Sequence, residues 1–255
     1  MNEAIHQGSV ELTVKDGIGT IEFFHPLSNS LPGKILTKLA DTITDAGNNN
    51  DISVIILKSE GDRAFCAGAS FDELMAVSNL EEGTIFFSGF ANVINAMRSC
   101  QKVIIGRVQG KTVGGGVGLA AACDYVFASV EASVRLSELT IGIAPLVIGP
   151  AVERKIGKAA ISELSLSPTE WKNAYWAKEK GLFARVYDSI SELDKEVEFF
   201  AQKLSKYNPQ GLKEWKKVLW EGIGHWDTLL VERAAITGAL VLSEFTKNAL
   251  SKFKK

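Results

Sequence analysis

The stretch VIIGRVQGKTVGGGVGLAAACDYVFA, Val103–Ala128, decides the fold class of this chain. Its apolar run VIIGRVQG is typical of a buried strand, and the strand DYVFAS follows after a short helix that begins in glycine. Five glycines lie within the nine residues 110–118, at the turn from the first strand into this helix. A strand, a helix and a second strand in this order predict a right-handed crossover between parallel strands.

The preceding sequence repeats this alternation of strands and helices. It opens with VELTVKDGIGTIEFF, in which apolar and polar residues alternate on both sides of Asp16-Gly17, a dipeptide that favours a hairpin turn. Apolar residues then recur at helical spacing over 35–43, the buried strand SVIILKS follows, and a second helix is expected over 84–98. These elements predict an α/β fold with a largely parallel sheet.

Beyond about Ile148, helical periodicity replaces the strand pattern, apart from a short strand in ARVYD. We expect four amphipathic helices, in VERKIGKAAISELSLS, over 170–180, in ELDKEVEFFAQKLSKY and in GLKEWKKVLWEG. Because the strand expected in ARVYD still belongs to the sheet, we expect residues 1–195 to form an α/β core and residues 196–255 a helical C-terminal region. Because the last two helices are rich in Trp, Phe and Leu, we expect them to pack on a neighbouring copy of the chain rather than on their own core.

The composition argues against several classes of function. The 255 residues carry a formal net charge of -2 with no basic block, so we expect no nucleic acid partner. No segment offers ~18 uninterrupted apolar residues and the start lacks the apolar core of a signal peptide, so we expect no membrane association and a cytoplasmic location. Cys66, Cys100 and Cys123 include no close-spaced pair, which predicts buried thiols without a disulfide or a metal site.

Two ligand-binding patterns fit the glycine-rich stretch poorly. The phosphate-binding P-loop requires G-x-x-x-x-G-K-[ST], but GRVQGKT is one residue short and has Ile105 where the first glycine belongs. The dinucleotide pattern G-x-G-x-x-[GA] matches Gly116, Gly118 and Ala121, but no acidic residue ends the next strand. Neither nucleotide site is therefore favoured.

A third interpretation is half of an oxyanion hole. Gly114 to Gly116 allow a close approach to a ligand, and the helix that begins there supplies free amides at its positive end. Because one donor makes a poor oxyanion hole, a second turn is needed, and RAFCAGASFDEL provides it with Ala67, Gly68 and Ala69 after the strand SVIILKS. Two such turns at matching places in successive units favour this chemistry over ordinary turns.

These segments resemble the crotonase family, the enoyl-CoA hydratase and isomerase superfamily. AFCAGASFDEL is similar to its A-F-[CSA]-A-G-[AG]-D-[LI] segment, and QGKTVGGGVGLAAACDYVFAS is similar to N-G-x-x-x-G-G-G-x-x-L-A-x-x-C-D-x-x-x-A. HPLSNSL resembles P-x-x-x-N-[AS]-L, and GLFARVYD resembles G-L-V-x-x-V. The resemblance implies a crotonase-like spiral of β-β-α turns, a helical C-terminal region that builds trimers or dimers of trimers, and a coenzyme A thioester as substrate with no other cofactor.

The resemblance also assigns roles to individual residues. The backbone amides of Ala69 and Gly115 are expected to bind the thioester oxygen and to stabilise its enolate. The adenine is expected near Ala67, and the loop of Ser28 and Asn29 is expected to border the nucleotide. The further substrate-binding residues expected are Gly68, Gly114, Gly118 and Leu146.

The acid–base residues depart from the hydratase pattern. Hydratases of the family hold a water between two glutamates; the first position is Gly118 here, and the second is retained as Glu138 in RLSELTIGIAP. Leu146 also replaces a glycine that helps to place this water. Moving a double bond from the 3 to the 2 position needs only one base, and an apolar pocket would raise its pKa. The sequence therefore favours an enoyl-CoA isomerase with Glu138 as its single proton carrier.

Two alternatives remain open at this point. One is an enoyl-CoA hydratase that uses a single glutamate and holds its water otherwise. The other is a non-catalytic CoA-binding or assembly protein, for which loss of the first glutamate would be an early step. Outside this chemistry, Asp124 is expected to make structural hydrogen bonds, and Arg135 is a candidate to orient a polar acyl group.

Overall fold

A computed structural model describes residues 8–252, and the fold opens with the expected hairpin. Strands β1 (Ser9–Lys15) and β2 (Ile18–Phe24) pair antiparallel, and the turn between them has positive φ at Asp16 (52°) and Gly17 (78°). This left-handed backbone matches the twist of the two strands, which explains the Asp-Gly sequence.

The rest of the described chain alternates short strands with helices. The other strands are β3 (Val54–Ser59), β4 (Ala64–Cys66), β5 (Val103–Val108), β6 (Lys111–Val113), β7 (Tyr125–Ser129), β8 (Ser133–Arg135), β9 (Lys172–Asn173) and β10 (Arg185–Tyr187). The helices are α1 (Gly33–Asn48), α2 (Phe71–Ala76), α3 (Leu80–Ser99), α4 (Gly115–Ala122), α5 (Gly149–Leu166), α6 (Ala174–Glu179), α7 (Ile190–Leu204), α8 (Pro209–Leu219), α9 (Trp226–Val241) and α10 (Glu244–Ser251), with a 3-10 helix at Glu138–Ile141.

The strands form two sheets, where the residue pattern alone predicted one. The larger sheet has the order β1-β2-β3-β5-β7-β10 and is parallel except for the hairpin, while the smaller has the order β4-β6-β8-β9. After the opening hairpin, the strand pairs β3-β4, β5-β6 and β7-β8 each add one strand to each sheet and are then followed by a helix, as in β5-β6-α4. This confirms the spiral of β-β-α turns. The strands of the smaller sheet have only two or three residues, too few for an alternating pattern to reveal them.

Helix α7 packs on its own core, so the expectation that it packs on a neighbouring copy is wrong. Its buried residues Leu193, Val197 and Ala201 contact the larger sheet, together with residues such as Phe127 of β7. The division expected between residues 195 and 196 falls inside this continuous helix. Helix α7 thus belongs to the α/β part of the structure.

A buried ion pair ties α8 to the larger sheet. The Nζ of Lys216 lies 3.0 Å from Oδ2 of Asp124, and both side chains are almost fully buried. The same carboxylate accepts hydrogen bonds from the amide of Ile104 (2.7 Å) and from the indole of Trp220 (2.6 Å). The structural role expected for Asp124 is therefore confirmed.

The last two helices, which periodicity did not reveal, cover the core of the same chain. Helix α9 crosses α3 where Gly83 meets Gly238, and a Cβ on Gly83 would lie 2.9 Å from the Cα of Gly238. Helix α10 packs on the 3-10 helix region, where the Thr246 hydroxyl donates to the carbonyl of Gly142 (3.1 Å). None of the helices in the described part of the chain combines the length and apolar character needed to cross a bilayer.

Candidate active site

The first glycine turn follows β4 and is fixed by hydrogen bonds to the 28–31 loop. The amide of Ala67 donates to the carbonyl of Ser28 (3.2 Å), and the amide of Leu31 donates to the carbonyl of Gly68 (2.8 Å). Gly68 has a φ of 91°, a conformation that favours glycine. These contacts hold Ala69 at the entrance to α2.

Asn29 holds the 28–31 loop in place. Its side-chain oxygen accepts from the amide of His25, and its side-chain nitrogen donates to the carbonyls of Glu60 and Ala64, each at 2.9 Å. The residue is 4% exposed and has a φ of 55°, which asparagine tolerates better than most residues. Its side chain is thus committed to its own chain, whereas Ser28 is exposed.

The second glycine turn joins β6 to α4. The amide of Gly114 donates to the carbonyl of Arg135 (3.0 Å), and Gly114 has a φ of 52°. Helix α4 begins at Gly115, where any Cβ would overlap the ring of Phe90. The sequence of this turn is therefore set by backbone conformation and by close packing.

The two turns meet at one place. A Cβ on Gly68 would lie 3.6 Å from the amide nitrogen of Gly115. Across residues 8–252, no acceptor is found for the amide of Ala69 or of Gly115, and both residues line the same cavity. Two unused amides at adjacent turns are the donors that an oxyanion hole requires.

Glu138 lies at the start of the 3-10 helix and faces these turns. Its Oε1 lies 3.1 Å from the position that a Cβ on Gly114 would take. Although the residue as a whole is partly exposed, its Oε2 is buried and has no hydrogen-bond partner. Burial away from water raises the pKa of this carboxyl from 4.5 to about 7, against a smaller lowering by its own backbone amide.

The cavity between the turns and Glu138 has a volume of about 150 Å³ and a predominantly apolar lining. Glu138 is the one ionisable residue that lines it in the described part of the chain; Ser137 and Thr237 supply the hydroxyls. The remaining side chains around it are mainly aromatic and aliphatic, namely Phe71, Leu74, Phe86, Phe87, Phe90, Ile141, Ile143, Leu146, Val147 and Ile148. Such a site can stabilise an oxyanion and move a proton under apolar conditions.

A sequence model described as Enoyl-CoA hydratase/isomerase matches residues 13–235. The chain belongs to the enoyl-CoA hydratase/isomerase family. Its homologues in this family are enzymes. The match spans both glycine turns and Glu138, so the crotonase resemblance of these segments is confirmed.

Curated relatives differ in the reaction that their names state. The chain is 26% identical over 249 residues to a probable enoyl-CoA hydratase of Bacillus subtilis, with 96% of this chain and 95% of the relative covered. It is 28% identical over 203 residues to a peroxisomal Delta(3,5)-Delta(2,4)-dienoyl-CoA isomerase of Arabidopsis thaliana, covering 75% and 72%. The crystal structure of enoyl-CoA hydratase from Bacillus halodurans has a TM-score of 0.88 at 21% identity, covering 95% and 99%. This last likeness supports the crotonase fold.

The structure brings most of the predicted site residues of this family member together. Seven of them line the cavity, namely Ala67, Gly68, Ala69, Gly114, Gly115, Glu138 and Leu146. Gly118, Ser28 and Asn29 are not among its lining residues. Gly118 lies inside α4, while the other two support the first turn from outside.

Several lining residues were missed from the sequence. Phe86, Phe87 and Phe90 on α3 reach the cavity, and their helical spacing could have indicated a buried face but not a ligand. Thr237 of α9 and Ile148 at the start of α5 arrive through tertiary packing. No local pattern places Thr237 near Glu138, since about 100 residues separate them in the chain.

Arg135 serves the site through its backbone. Its carbonyl holds Gly114, while its guanidinium lies 4.5 Å from the ring centre of Trp171 and is not part of the cavity lining. Its guanidinium is therefore not one of the groups of this cavity, and the suggestion that it orients a polar acyl group stays a prediction. Cys66 beneath the turns is fully buried, and this burial raises the pKa of its thiol to about 12. Within residues 8–252, no cluster of His, Cys, Asp or Glu is arranged to hold a metal ion.

Proposed function

We propose that this protein is an acyl-CoA enzyme that moves a double bond of an enoyl-CoA from the 3 to the 2 position. The observation that carries this proposal is the lining of the cavity, in which Glu138 is the one ionisable side chain within residues 8–252 and lies beside the turn of Gly114. The reaction needs one oxyanion hole and one base, and these are the groups that the cavity offers.

The two amides act on the thioester oxygen. When a proton leaves C2 of the substrate, negative charge develops on this oxygen, and the amides of Ala69 and Gly115 donate hydrogen bonds to it. Removing one such donor raises a comparable barrier by about 3 kcal/mol. The apolar surroundings strengthen both hydrogen bonds because water is excluded.

Glu138 carries the proton between two carbons. As a carboxylate it takes a proton from C2 of the 3-enoyl thioester, the electron pair delocalises into a dienolate, and the carboxylic acid returns the proton to C4. The product is the conjugated 2-enoyl thioester, with no atom gained or lost. A pKa of about 7 suits this task, since the group is a competent base and a competent acid near neutral pH.

The remaining cavity indicates an uncharged acyl group. Leu146, Ile143 and the phenylalanines of α3 offer apolar contact, and no cation among the lining residues that the structure describes could pair with a second carboxylate on the substrate. In the same proposal the adenine of coenzyme A lies near Ala67, and the nucleotide passes the exposed loop at Ser28.

Hydration of a 2-enoyl-CoA is the second candidate. It is favoured by the similarity to the probable enoyl-CoA hydratase of Bacillus subtilis over nearly the whole chain. A catalytically silent CoA-binding protein is the third candidate, but it gives no role to the buried Oε2 of Glu138, which has no hydrogen-bond partner in its own chain.

Absorbance of the conjugated thioester separates the three candidates. With a 3-enoyl-CoA and the matching 2-enoyl-CoA as substrates, isomerisation raises the absorbance in the first assay and hydration lowers it in the second. We expect a rise with the 3-enoyl-CoA and little change with the 2-enoyl-CoA. A fall with the 2-enoyl-CoA alone would establish hydration, and no change in either assay despite binding would contradict both reactions and favour the silent protein.

We also propose that the chain forms a homo-oligomer, a trimer or a dimer of trimers. One face of α8 exposes Trp215, Val218 and Leu219, which are 59%, 51% and 41% accessible. A contiguous apolar face of this kind usually marks a protein contact. Analytical ultracentrifugation tests this, with a monomer at micromolar concentration as the contrary result.

A further inference from the structure

The side chain of Ile148 occupies the space that a side chain at position 118 would need. A Cβ on Gly118 would lie 2.6 Å from Cγ2 and 2.7 Å from Cβ of Ile148, closer than packed carbon atoms approach. The next atom, the Cα of Ile148, lies at 3.7 Å, which is an ordinary contact. A side chain at position 118 therefore requires the absence of one at position 148.

Ile148 stands between α4 and the cavity. It immediately precedes α5, is 4% exposed, and lines the same cavity as Glu138. Gly118 is buried within α4 and does not line the cavity. The isoleucine thus presents hydrocarbon to the cavity at the place from which a side chain at position 118 would enter it.

Hydration makes demands that this arrangement does not meet. Water loses one proton to a base while its oxygen bonds to C3, and C2 then gains a proton from an acid. Two carboxyl groups with different pKa values perform these tasks well, and a hydrogen-bonded water must lie between them. A buried hydrocarbon offers this water neither a partner nor room.

We propose that Ile148 is a specificity-determining residue that restricts this site to proton transfer by excluding both a second carboxylate and the attacking water. The proposal rests on the proposed function, with Glu138 as the single proton carrier. A side chain at position 118 would contact both Cγ2 and Cβ of Ile148. Only glycine at position 148 removes both contacts, because every other residue keeps the Cβ.

The decisive variant places a side chain at position 118 and removes the one at position 148. In Gly118→Glu/Ile148→Gly the glutamate gains the space that the isoleucine leaves. The matched control is Gly118→Glu/Ile148→Val, because valine keeps the β and γ carbons that obstruct position 118. We expect hydration of a 2-enoyl-CoA to rise at least tenfold in the exchanged variant relative to both the control and the parent protein.

The outcomes separate this inference from the proposed function. If the exchanged variant binds the thioester, still isomerises 3-enoyl-CoA and gains no hydration, Ile148 does not determine specificity, while the proposed function stands. If the parent protein fails to isomerise any 3-enoyl-CoA, the proposed function fails, and the inference about specificity fails with it.

A stability cycle covers the case in which the glutamate variants do not fold. Gly118→Ala is expected to lower the Tm in the parent protein, where its methyl group meets Ile148. In the Ile148→Gly background the same change is expected to raise the Tm, because alanine favours a helix over glycine and the obstruction is gone. An equal loss of Tm in both backgrounds would show that Ile148 does not obstruct a side chain at position 118, and would overturn the inference.

Discussion

Replacing Glu138 by glutamine is expected to stabilise the protein above neutral pH while removing its activity. The buried carboxyl has a pKa of about 7 in the folded protein against 4.5 ordinarily, because burial disfavours its charge. The folded state therefore holds this proton more tightly than the unfolded state. Its contribution to stability is fully present below pH 4.5 and is lost as the pH rises through about 7.

The size of the effect follows from the two pKa values. Each unit of difference corresponds to about 1.4 kcal/mol, so the full shift for Glu138 corresponds to about 3 kcal/mol. Glutamine does not ionise, so the variant does not lose this free energy of unfolding as the pH rises. The free energy of unfolding of Glu138→Gln, relative to the parent protein, is therefore expected to increase by about 2.5 kcal/mol between about pH 5 and about pH 8.

Urea unfolding at both pH values and at one fixed protein concentration measures this difference. Glu221→Gln is the control, since Glu221 is exposed and its substitution should leave the free energy of unfolding nearly unchanged. A Glu138→Gln difference that is equal at the two pH values would refute the reasoning, since it would mean that the carboxyl does not titrate as a buried group.

Three further results are expected. In the parent protein, kcat/KM for isomerisation should fall about tenfold per pH unit below about 7, where Glu138 becomes protonated; a flat profile from pH 5 to 8 would contradict its role as the base. Gly115→Ala should lower kcat by about 10²-fold or more, because its methyl group overlaps the Phe90 ring and displaces the amide, whereas Gly224→Ala at an exposed position, where an added Cβ has no neighbour within 4 Å, should leave kcat unchanged. Asn29→Ala should lower the free energy of unfolding by about 3 kcal/mol, since it removes the three hydrogen bonds of a buried side chain; a loss below about 1 kcal/mol in urea unfolding would contradict this.

The parts of the fold with a clear periodic signal were predictable from the sequence. The hairpin at Asp16-Gly17, the buried strands of the larger sheet and helices α1 and α3 all lie where the alternation of residues places them. The two glycine turns were also predictable, because two backbone segments can approach this closely only where a residue has no Cβ, and that residue is glycine.

What could not be predicted depends on contacts between distant segments. The smaller sheet has strands too short for a pattern, and α6 is shorter than the helix expected over 170–180 because Asn173 caps it only at that point. The obstruction of Gly118 by Ile148 and the approach of Thr237 to the cavity arise from tertiary packing. The sequence shows that position 118 has no carboxylate, but it does not show that Ile148 occupies the space beside it.

Turnover of a 3-enoyl-CoA by the Glu138→Gln variant tests the central claim most directly. The variant keeps the oxyanion hole and the shape of the cavity, so binding of the thioester should persist. The rate of formation of the conjugated 2-enoyl product is expected to fall by about 10³-fold, because no other ionisable side chain lines the cavity within residues 8–252. A variant that binds the thioester and turns it over within a few-fold of the parent rate would contradict the assignment of Glu138 as the proton carrier.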